Sequence, residues 1–314
     1  MLSTDEFDSS ELDMRFKHLA ARRSTMVSVF VNIWLSTIQI IAGIVAGSQG
    51  LIADGLHSLS DLIADFVVLF ANHQSQKAPD ADHHYGHQRY ENAASLAIGV
   101  LLLAVGLGML WSAVRKVEQP DLIQEVKIIA LWVALGALLA KELLFRYMLQ
   151  IGKRVQSNML IANAWHARSD AASSLVVAAG IGGNLLGYHI LDPVAALVVG
   201  LMVVRMGWGF ARDALHDLVD RAVDEKFLVE IRRALDDTPG LIGWHDLRTR
   251  KMGDLILVDV HLEIDGQLTI EEGHCIALDA RNRVMMQPLV LNLMTHIDPV
   301  KPISQETSMT RSIT

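Results

Sequence analysis

The chain reads as an α-helical membrane protein with six spanning helices and a small C-terminal α+β domain of helix–strand–strand–helix–strand order. Three observations predict this. The 314 residues are 51% hydrophobic, with a mean hydropathy of +0.31, too apolar for an ordinary soluble protein. Six apolar stretches, each near the roughly 20 residues that cross a bilayer, fill the first two-thirds. After about residue 211 the pattern changes to amphipathic helices and alternating strands.

The apolar segments run approximately over 26–47, 50–71, 92–113, 125–148, 160–182 and 189–210. Only Gly47-Ser48-Gln49-Gly50 joins the first two, which predicts a tight helical hairpin. The fifth and sixth are joined through Gly182, Gly183, Asn184 and a short link ending at Asp192-Pro193. Arg15, Lys17, Arg22 and Arg23 precede the first span, Lys77 and Arg89 flank the second loop, and Lys153 and Arg154 occupy the fourth. The alternate loops hold Arg115, Lys116 and Lys127, offset by Glu118, Asp121 and Glu125. The bias puts both termini in the cytoplasm. The expected organisation is an N-terminal cytoplasmic segment at 1–24, a six-helix membrane domain at 25–210, a cytoplasmic domain at 211–302 and a disordered tail at 303–314.

Composition also excludes. A net charge of −8 argues against a nucleic-acid partner. A single cysteine, Cys275, rules out an intrachain disulfide framework and a cysteine-rich zinc finger, and is expected to be a small buried residue. The opening segment lacks the apolar core of a cleavable signal.

In the C-terminal domain, 224–238 reads as an amphipathic helix ending near Pro239-Gly240. Strands at 244–251 and 255–264 flank a turn at Met252-Gly253-Asp254, with Ile256, Val258, Val260, Leu262 and Ile264 alternating on one face. Thr269 and Glu272 form a capping box that starts a second helix. A last strand at 288–295 runs into His296-Ile297-Asp298-Pro299. If the hairpin turns on Gly253, His245 and His261 lie equally far from it and face each other, with Cβ atoms about 5 Å apart.

The informative residues are ionisable groups inside apolar spans. Asp54, His57, Asp61 and Asp65 recur at spacings of three and four on the second span, and His166 and Asp170 repeat the i, i+4 spacing on the fifth. Such groups are expensive at membrane depth and mark an ion path or a proton relay. Two carboxylates without a cation between them repel, whereas two neutral imidazoles and two carboxylates form a first-row divalent shell, zinc leading. Hydrogen bonding between helices is the competing reading, strongest for the outer carboxylates Asp54 and Asp65. The second loop crowds Asp80, Asp82, His83, His84 and His87 together. Asp80, His83 and His87 have a spacing that closes three ligands around one ion, Gly86 permitting the turn, while Asp82 and His84 point elsewhere or support them.

Four motifs carry a family resemblance: H-S-L-S-D at 57–61, H-A-R-S-D at 166–170, D-A-D-H-H-Y-G-H at 80–87 and H-D-L-R-T-R at 245–250. Over roughly 25–298 the chain resembles the cation diffusion facilitators, six-span proton-coupled exporters of divalent metals. The resemblance implies a transport tetrahedron of His57, Asp61, His166 and Asp170, and a second zinc site of Asp80, His83 and His87. It also implies a binuclear zinc site of His245, His261, His274, His296 and Asp298, with the aspartate bridging. It further implies a dimerising cytoplasmic domain and a charged interlock at Arg89 and Asp220. With His57 at the family's variable position, the shell suits Zn²⁺, Cd²⁺ or Co²⁺ over Mn²⁺ or Mg²⁺, with Fe²⁺ a further candidate. Imidazole must be neutral to bind metal, so protons and metal compete and exchange follows.

The expected function is therefore a homodimeric Zn²⁺/H⁺ antiporter in a bacterial inner membrane, not an enzyme. A membrane-anchored metal sensor is the alternative, but it leaves carboxylates on two separate spans unexplained. An intramembrane metalloenzyme lacks an H-E-x-x-H motif to support it.

Overall fold

A computed structural model describes residues 26–119, 125–154 and 158–301. The expected segments 1–24 and 303–314, with Asp121, lie outside the described residues. The six expected spans form six helices: α1 (Met26–Ala46), α2 (Gln49–Ser75), α3 (Arg89–Glu118), α4 (Ile128–Arg154), α5 (Asn158–Leu185) and α6 (Leu191–Leu218). All but α1 outrun the apolar segment that announced them. A helix satisfies its own backbone whether lipid or water surrounds it, so the ladder continues into polar ends such as Arg115-Lys116 and Lys153-Arg154. By length and composition α1, α3, α4 and α6 are apolar enough to cross a membrane. The two helices left out of that set, α2 and α5, are those bearing the His–Asp pairs.

The chain divides into two compact units. One holds the described chain up to Leu69 with Ala97–Ala211, the other Phe70–Leu96 with the described chain from Arg212 onward. In the first unit, Leu51, Ile98, Leu102, Val177, Ile181, Val199 and Val203 form the core. Helices α3 and α6 meet there backbone to backbone: a Cβ added at Gly99 would lie 2.4 Å from the Ala211 amide nitrogen, and one at Gly207 would lie 2.8 Å from that of Leu103. Small residues allow such an approach where no hydrophobic drive separates helix from lipid. The buried Asp192 carboxylate, expected only as part of a turn, accepts from Ser48 Oγ at 2.5 Å and from the Gln49 and Gly50 amides at 2.7 and 3.3 Å. It thereby caps the N-terminus of α2 from α6.

The second unit has the expected order, with α7 (Glu225–Asp236), β1 (Gly243–Met252), β2 (Leu255–Asp265), α8 (Ile270–Met285) and β3 (Val290–Val300). The sheet order is β1-β2-β3, with β1–β2 antiparallel and β2–β3 parallel. Val258, Val260, Leu262 and Ile264 bury one face of β2 against Ile231 and Leu235 of α7 and Ala280 and Val284 of α8. The capping box forms: Thr269 Oγ1 accepts from the Glu272 amide at 3.3 Å, and Glu272 Oε2 from the Thr269 amide at 2.8 Å. Strand β3 continues five residues past its expected end, because β2 offers it a pairing edge as far as Asp265↔Val300. Pro299 is tolerated there because β3 is an edge strand.

The hairpin corrects one premise while keeping its result. The pairs Met252↔Leu255 and Arg250↔Leu257 place the turn on Gly253 and Asp254 together, a register that would not pair His245 with His261. An irregularity between His245 and Arg248, with Asp246 at a φ of 51°, takes up one residue and restores His245↔His261. Cys275 is exposed rather than buried, because the inward stripe of α8 is Gly273, Ala277, Ala280 and Val284.

Gly99→Ala is expected to destabilise the protein by about 1–3 kcal/mol through overpacking. Gly108→Ala, with no atom within 4 Å of the added Cβ, is the control. Thermal midpoints in detergent check this: Gly99→Ala falls while Gly108→Ala holds or rises.

Candidate metal centres

Helix α2 presents His57 and Asp61 on one face by their i, i+4 spacing, and α5 presents Asp170 to them. His57 is buried, 5% exposed. Its Nδ1 lies 3.3 Å from Asp61 Oδ2 and its Nε2 4.0 Å from Asp170 Oδ1. Ligand atoms from the three residues all fall within 4.8 Å of one another. His57 Nδ1 is buried without a hydrogen-bond partner among the described residues. An imidazole nitrogen beside two carboxylates is a donor set that fits a divalent cation, which would relieve the repulsion between the two anions. His166, one turn before Asp170 on α5, is exposed and stands outside this three-donor group. Asp65 is exposed as well.

Asp54 behaves differently from its neighbours on the stripe. It is fully buried and pairs with Lys141 Nζ of α4 at 3.1 Å, so here the helix–helix reading holds. Sequence reasoning passed over Lys141. The signal was available: a lysine in the middle of an apolar span demands a buried anion.

In the second unit the loop residues close as their spacing suggested. His83 Nδ1 lies 3.2 Å from Asp80 Oδ1, and His87 Nε2 lies 3.3 Å from Asp80 Oδ2. The loop is shaped by Asp80 itself, whose Oδ1 accepts from the His83 and Asp82 amides at 2.7 and 3.0 Å, and by Gly86 at a φ of 83°. The His83 amide bond is the main influence holding the Asp80 carboxyl below its ordinary range, so it stays anionic and ready to bind. His87 is buried, with an Nδ1 that has no hydrogen-bond partner among the described residues. The donor set fits one metal ion. Asp82 and His84 are exposed and outside the group.

On the sheet, the pairs His245↔His261 and His261↔His296 put three imidazoles in one row across β1, β2 and β3. Their ring centroids are 5.0 and 4.7 Å apart. The row occupies the face opposite the core residues Val260 and Leu262, by strand alternation. Asp298, two residues beyond His296 on the same face, reaches all three. Its Oδ2 lies 2.9 Å from His261 Nδ1 and 3.1 Å from His245 Nε2, and its Oδ1 lies 3.4 Å from His296 Nε2. The hydrogen bond with His261 leads the causes that hold the Asp298 carboxyl below its ordinary range. A carboxylate with one oxygen shared between imidazoles can bridge ions. His274 is exposed on α8 and lines a different hollow with Ala277, Asn292 and Met294.

Arg89 and Asp220 meet. The guanidinium donates to Asp220 Oδ1 and, at 3.3 Å, to the Leu218 carbonyl. Asp220 follows the end of α6 at a φ of 62°, with its own amide bonded to Asp217 O and the Arg221 amide to His216 O. That C-terminal motif favours glycine, and an aspartate there keeps a carboxylate for Arg89. Arg250 of β1 lies 4.0 Å from the other Asp220 oxygen.

The family model described as the cation efflux transmembrane domain matches residues 25–219, and that of the cation efflux protein cytoplasmic domain matches 223–300. Metal tolerance protein C1 of Arabidopsis thaliana is 34% identical over 283 residues, which are 85% of this chain and 60% of that longer protein. An uncharacterized transporter of Methanocaldococcus jannaschii is 34% identical over 275 residues, 88% of this chain and 97% of that one. The manganese efflux system protein MneS of Bacillus subtilis is 32% identical over 281 residues, 88% and 94% of the two chains. Among solved structures, the metal-bound C-terminal domain of the CzcD transporter from Thermotoga maritima aligns with 24% of this chain and 88% of its own, at 18% identity and a TM-score of 0.23.

Asp298→Ala is expected to weaken zinc-induced thermal stabilisation of the protein by more than about tenfold in zinc concentration, since even outer-shell partners of metal ligands carry 10–100-fold. For the intact site, zinc stabilisation is expected to be full at neutral pH and to be lost on acidification, because imidazoles must be neutral to bind. Zinc titrations of the thermal midpoint at several pH values check both outcomes.

Proposed function

This chain belongs to the cation efflux family, and from that premise we propose that it exports divalent cations from the cytoplasm as a homodimeric antiporter, with Zn²⁺ as its main cargo and H⁺ as the counter-ion. One observation carries the reading. His57, Asp61 and Asp170 converge within 4.8 Å on two helices of an apolar bundle, and the buried His57 Nδ1 has no hydrogen-bond partner among the described residues. His166, one turn from Asp170, completes the four-donor shell in this proposal.

The two carboxylates neutralise the dication and so offset the loss of its hydration. His57 supplies a borderline nitrogen donor that also binds protons. A proton arriving at His57 or at either carboxylate lowers affinity for the metal, so an acidic side favours release and the proton gradient drives exchange. Alternating access of this site to the two faces of the membrane completes the cycle. The chemistry needs no substrate turnover, and the protein is proposed not to be an enzyme.

The domain limits 25–210 and 211–302 are proposed on the same basis, supported by family matches that end at 219 and begin at 223. Asp80, His83 and His87 would hold one resident zinc. His245, His261, His296 and Asp298, with His274, would hold the binuclear pair. Bound zinc would supply positive charge that cancels carboxylate charge and ties together the domains of two protomers. Arg89 with Asp220 would act as the interlock. A multi-pass protein of a bacterial inner membrane, with both termini cytoplasmic, is consistent with the distribution of basic residues.

Manganese is the second reading, favoured by a specific observation. The three donors that converge are one nitrogen and two carboxylate oxygens, a harder set than the full tetrahedron, and a Bacillus subtilis relative carries the name of a manganese efflux protein. Cd²⁺, Co²⁺ and Fe²⁺ are lesser cargoes.

Metal flux into proteoliposomes under a pH gradient separates these readings. Zinc uptake that rises with an acidic trans side and disappears in Asp61→Ala and Asp170→Ala is the expected result. Metal binding without flux would identify a membrane-anchored sensor instead. His57→Asp, which adds a hard oxygen and a negative charge, is expected to keep transport but move preference from Zn²⁺ toward Mn²⁺, Fe²⁺ or Cd²⁺. An unaltered order in competition assays would place selectivity elsewhere.

A further inference from the structure

Lys141 is 2% exposed and Asp54 fully buried, in helices that cross the apolar unit. Their hydrogen-bonding capacity is used almost completely. The Lys141 ammonium reaches Asp54 Oδ1 at 3.1 Å, Ser174 Oγ at 2.8 Å and the Asp170 carbonyl oxygen at 3.5 Å. Asp54 also takes Ser173 Oγ on Oδ1 at 3.0 Å, and Ser174 Oγ at 2.6 Å with Gln39 Nε2 on Oδ2. Four helices, α1, α2, α4 and α5, therefore converge on one carboxylate.

This hub lies one turn from the converging transport residues on both helices that bear them. Asp54 precedes His57 by three residues on α2, and Ser173 and Ser174 follow Asp170 by three and four on α5. The grip on α5 from outside is made by the Lys141 ammonium, which reaches the Asp170 carbonyl, while Ser173 Oγ shares its one hydrogen between that carbonyl at 2.7 Å, one turn back in its own helix, and Asp54. Generic helix association needs neither a full charge nor a contact with that carbonyl.

We propose that Lys141 and Asp54 are positioning residues for transport. The pair fixes the Asp170 turn of α5 against the His57–Asp61 face of α2, and by cancelling its own charge adds no net field beside the cation. The proposal rests on the transport-site reading above. It gives the two single variants different defects. Asp54→Asn leaves an uncompensated ammonium one turn from the site, which repels the cation and destabilises the bundle. Lys141→Met leaves an uncompensated buried carboxylate and releases the Asp170 carbonyl. The double variant Asp54→Asn/Lys141→Met restores neutrality but not the grip.

Zinc flux in proteoliposomes, read as KM and kcat, together with thermal midpoints of the full-length protein, tests this. The double variant is expected to regain most of the stability lost by either single variant, yet to show a KM for zinc raised at least about fivefold. Ser173→Ala, which keeps the charge pair, is expected to raise KM two- to threefold at a near wild-type midpoint. Lys141→Arg is expected to recover part of the loss. Wild-type KM in both the double variant and Ser173→Ala overturns the proposal and leaves the hub as packing alone. If the double variant does not fold, Ser173→Ala decides by the same criterion. Asp61→Ala in the same series reports on the transport site separately. Lost flux there, beside wild-type kinetics in the hub variants, sinks only the positioning role, whereas retained flux in Asp61→Ala sinks the site reading itself.

Discussion

Ionisable side chains in apolar helices must find compensation, and the membrane unit is organised around how each one does so. A carboxylate or ammonium removed from water without a partner costs several kcal/mol. Two solutions stand two turns apart on α2, at Asp54 and Asp61. Asp54 is compensated by protein, through Lys141, two serine hydroxyls and Gln39. Asp61, with Asp170 from α5, has His57 beside it and an imidazole nitrogen without a hydrogen-bond partner among the described residues. One arrangement is closed by protein groups. The other is left for the cation of the proposed transport function. The requirement also shows in helix composition, because α2 and α5, which carry these groups, are the two long helices of this unit outside the set that length and composition mark as apolar enough to cross a membrane.

The second unit solves a related problem with different geometry. A β-ladder places side chains of paired residues side by side, so three histidines on one rung form a row without any loop having to be trained into position. The row depends on the irregularity near Asp246 on one side and on the parallel pairing of β3 on the other. Asp298 supplies the negative charge and is held anionic by the imidazoles it touches. In the loop, by contrast, Asp80 acts both as prospective ligand and as the residue whose carboxylate shapes the turn, which ties the fold of the segment to the geometry of the site.

Asp220 links local backbone to tertiary charge. It occupies a left-handed position where glycine would be easier, and its carboxylate reaches Arg89 and lies near Arg250. The same residue therefore ends α6 and fastens the loop segment to it. Backbone strain at such a position is tolerated where surrounding contacts fix it.

Much of this was legible in the residues. Hydropathy determined six helices, alternation determined the hairpin and its buried face, Thr269 and Glu272 determined where α8 begins, and i, i+4 spacing determined that His57 and Asp61 share a face. These are short-range consequences of helix and strand periodicity. The tertiary structure decided what depends on long-range neighbours. It assigned Asp54 to Lys141, 87 residues away, rather than to the cation cluster. It gave Asp192 to the N-terminus of α2, 143 residues away at the Gln49 amide. It put Cys275 on the surface, and His166 and His274 on exposed positions outside the groups of donors that meet within 4.8 Å. Spacing along a helix fixes the face on which a side chain emerges. Which partner waits there is fixed only when other helices and strands have packed.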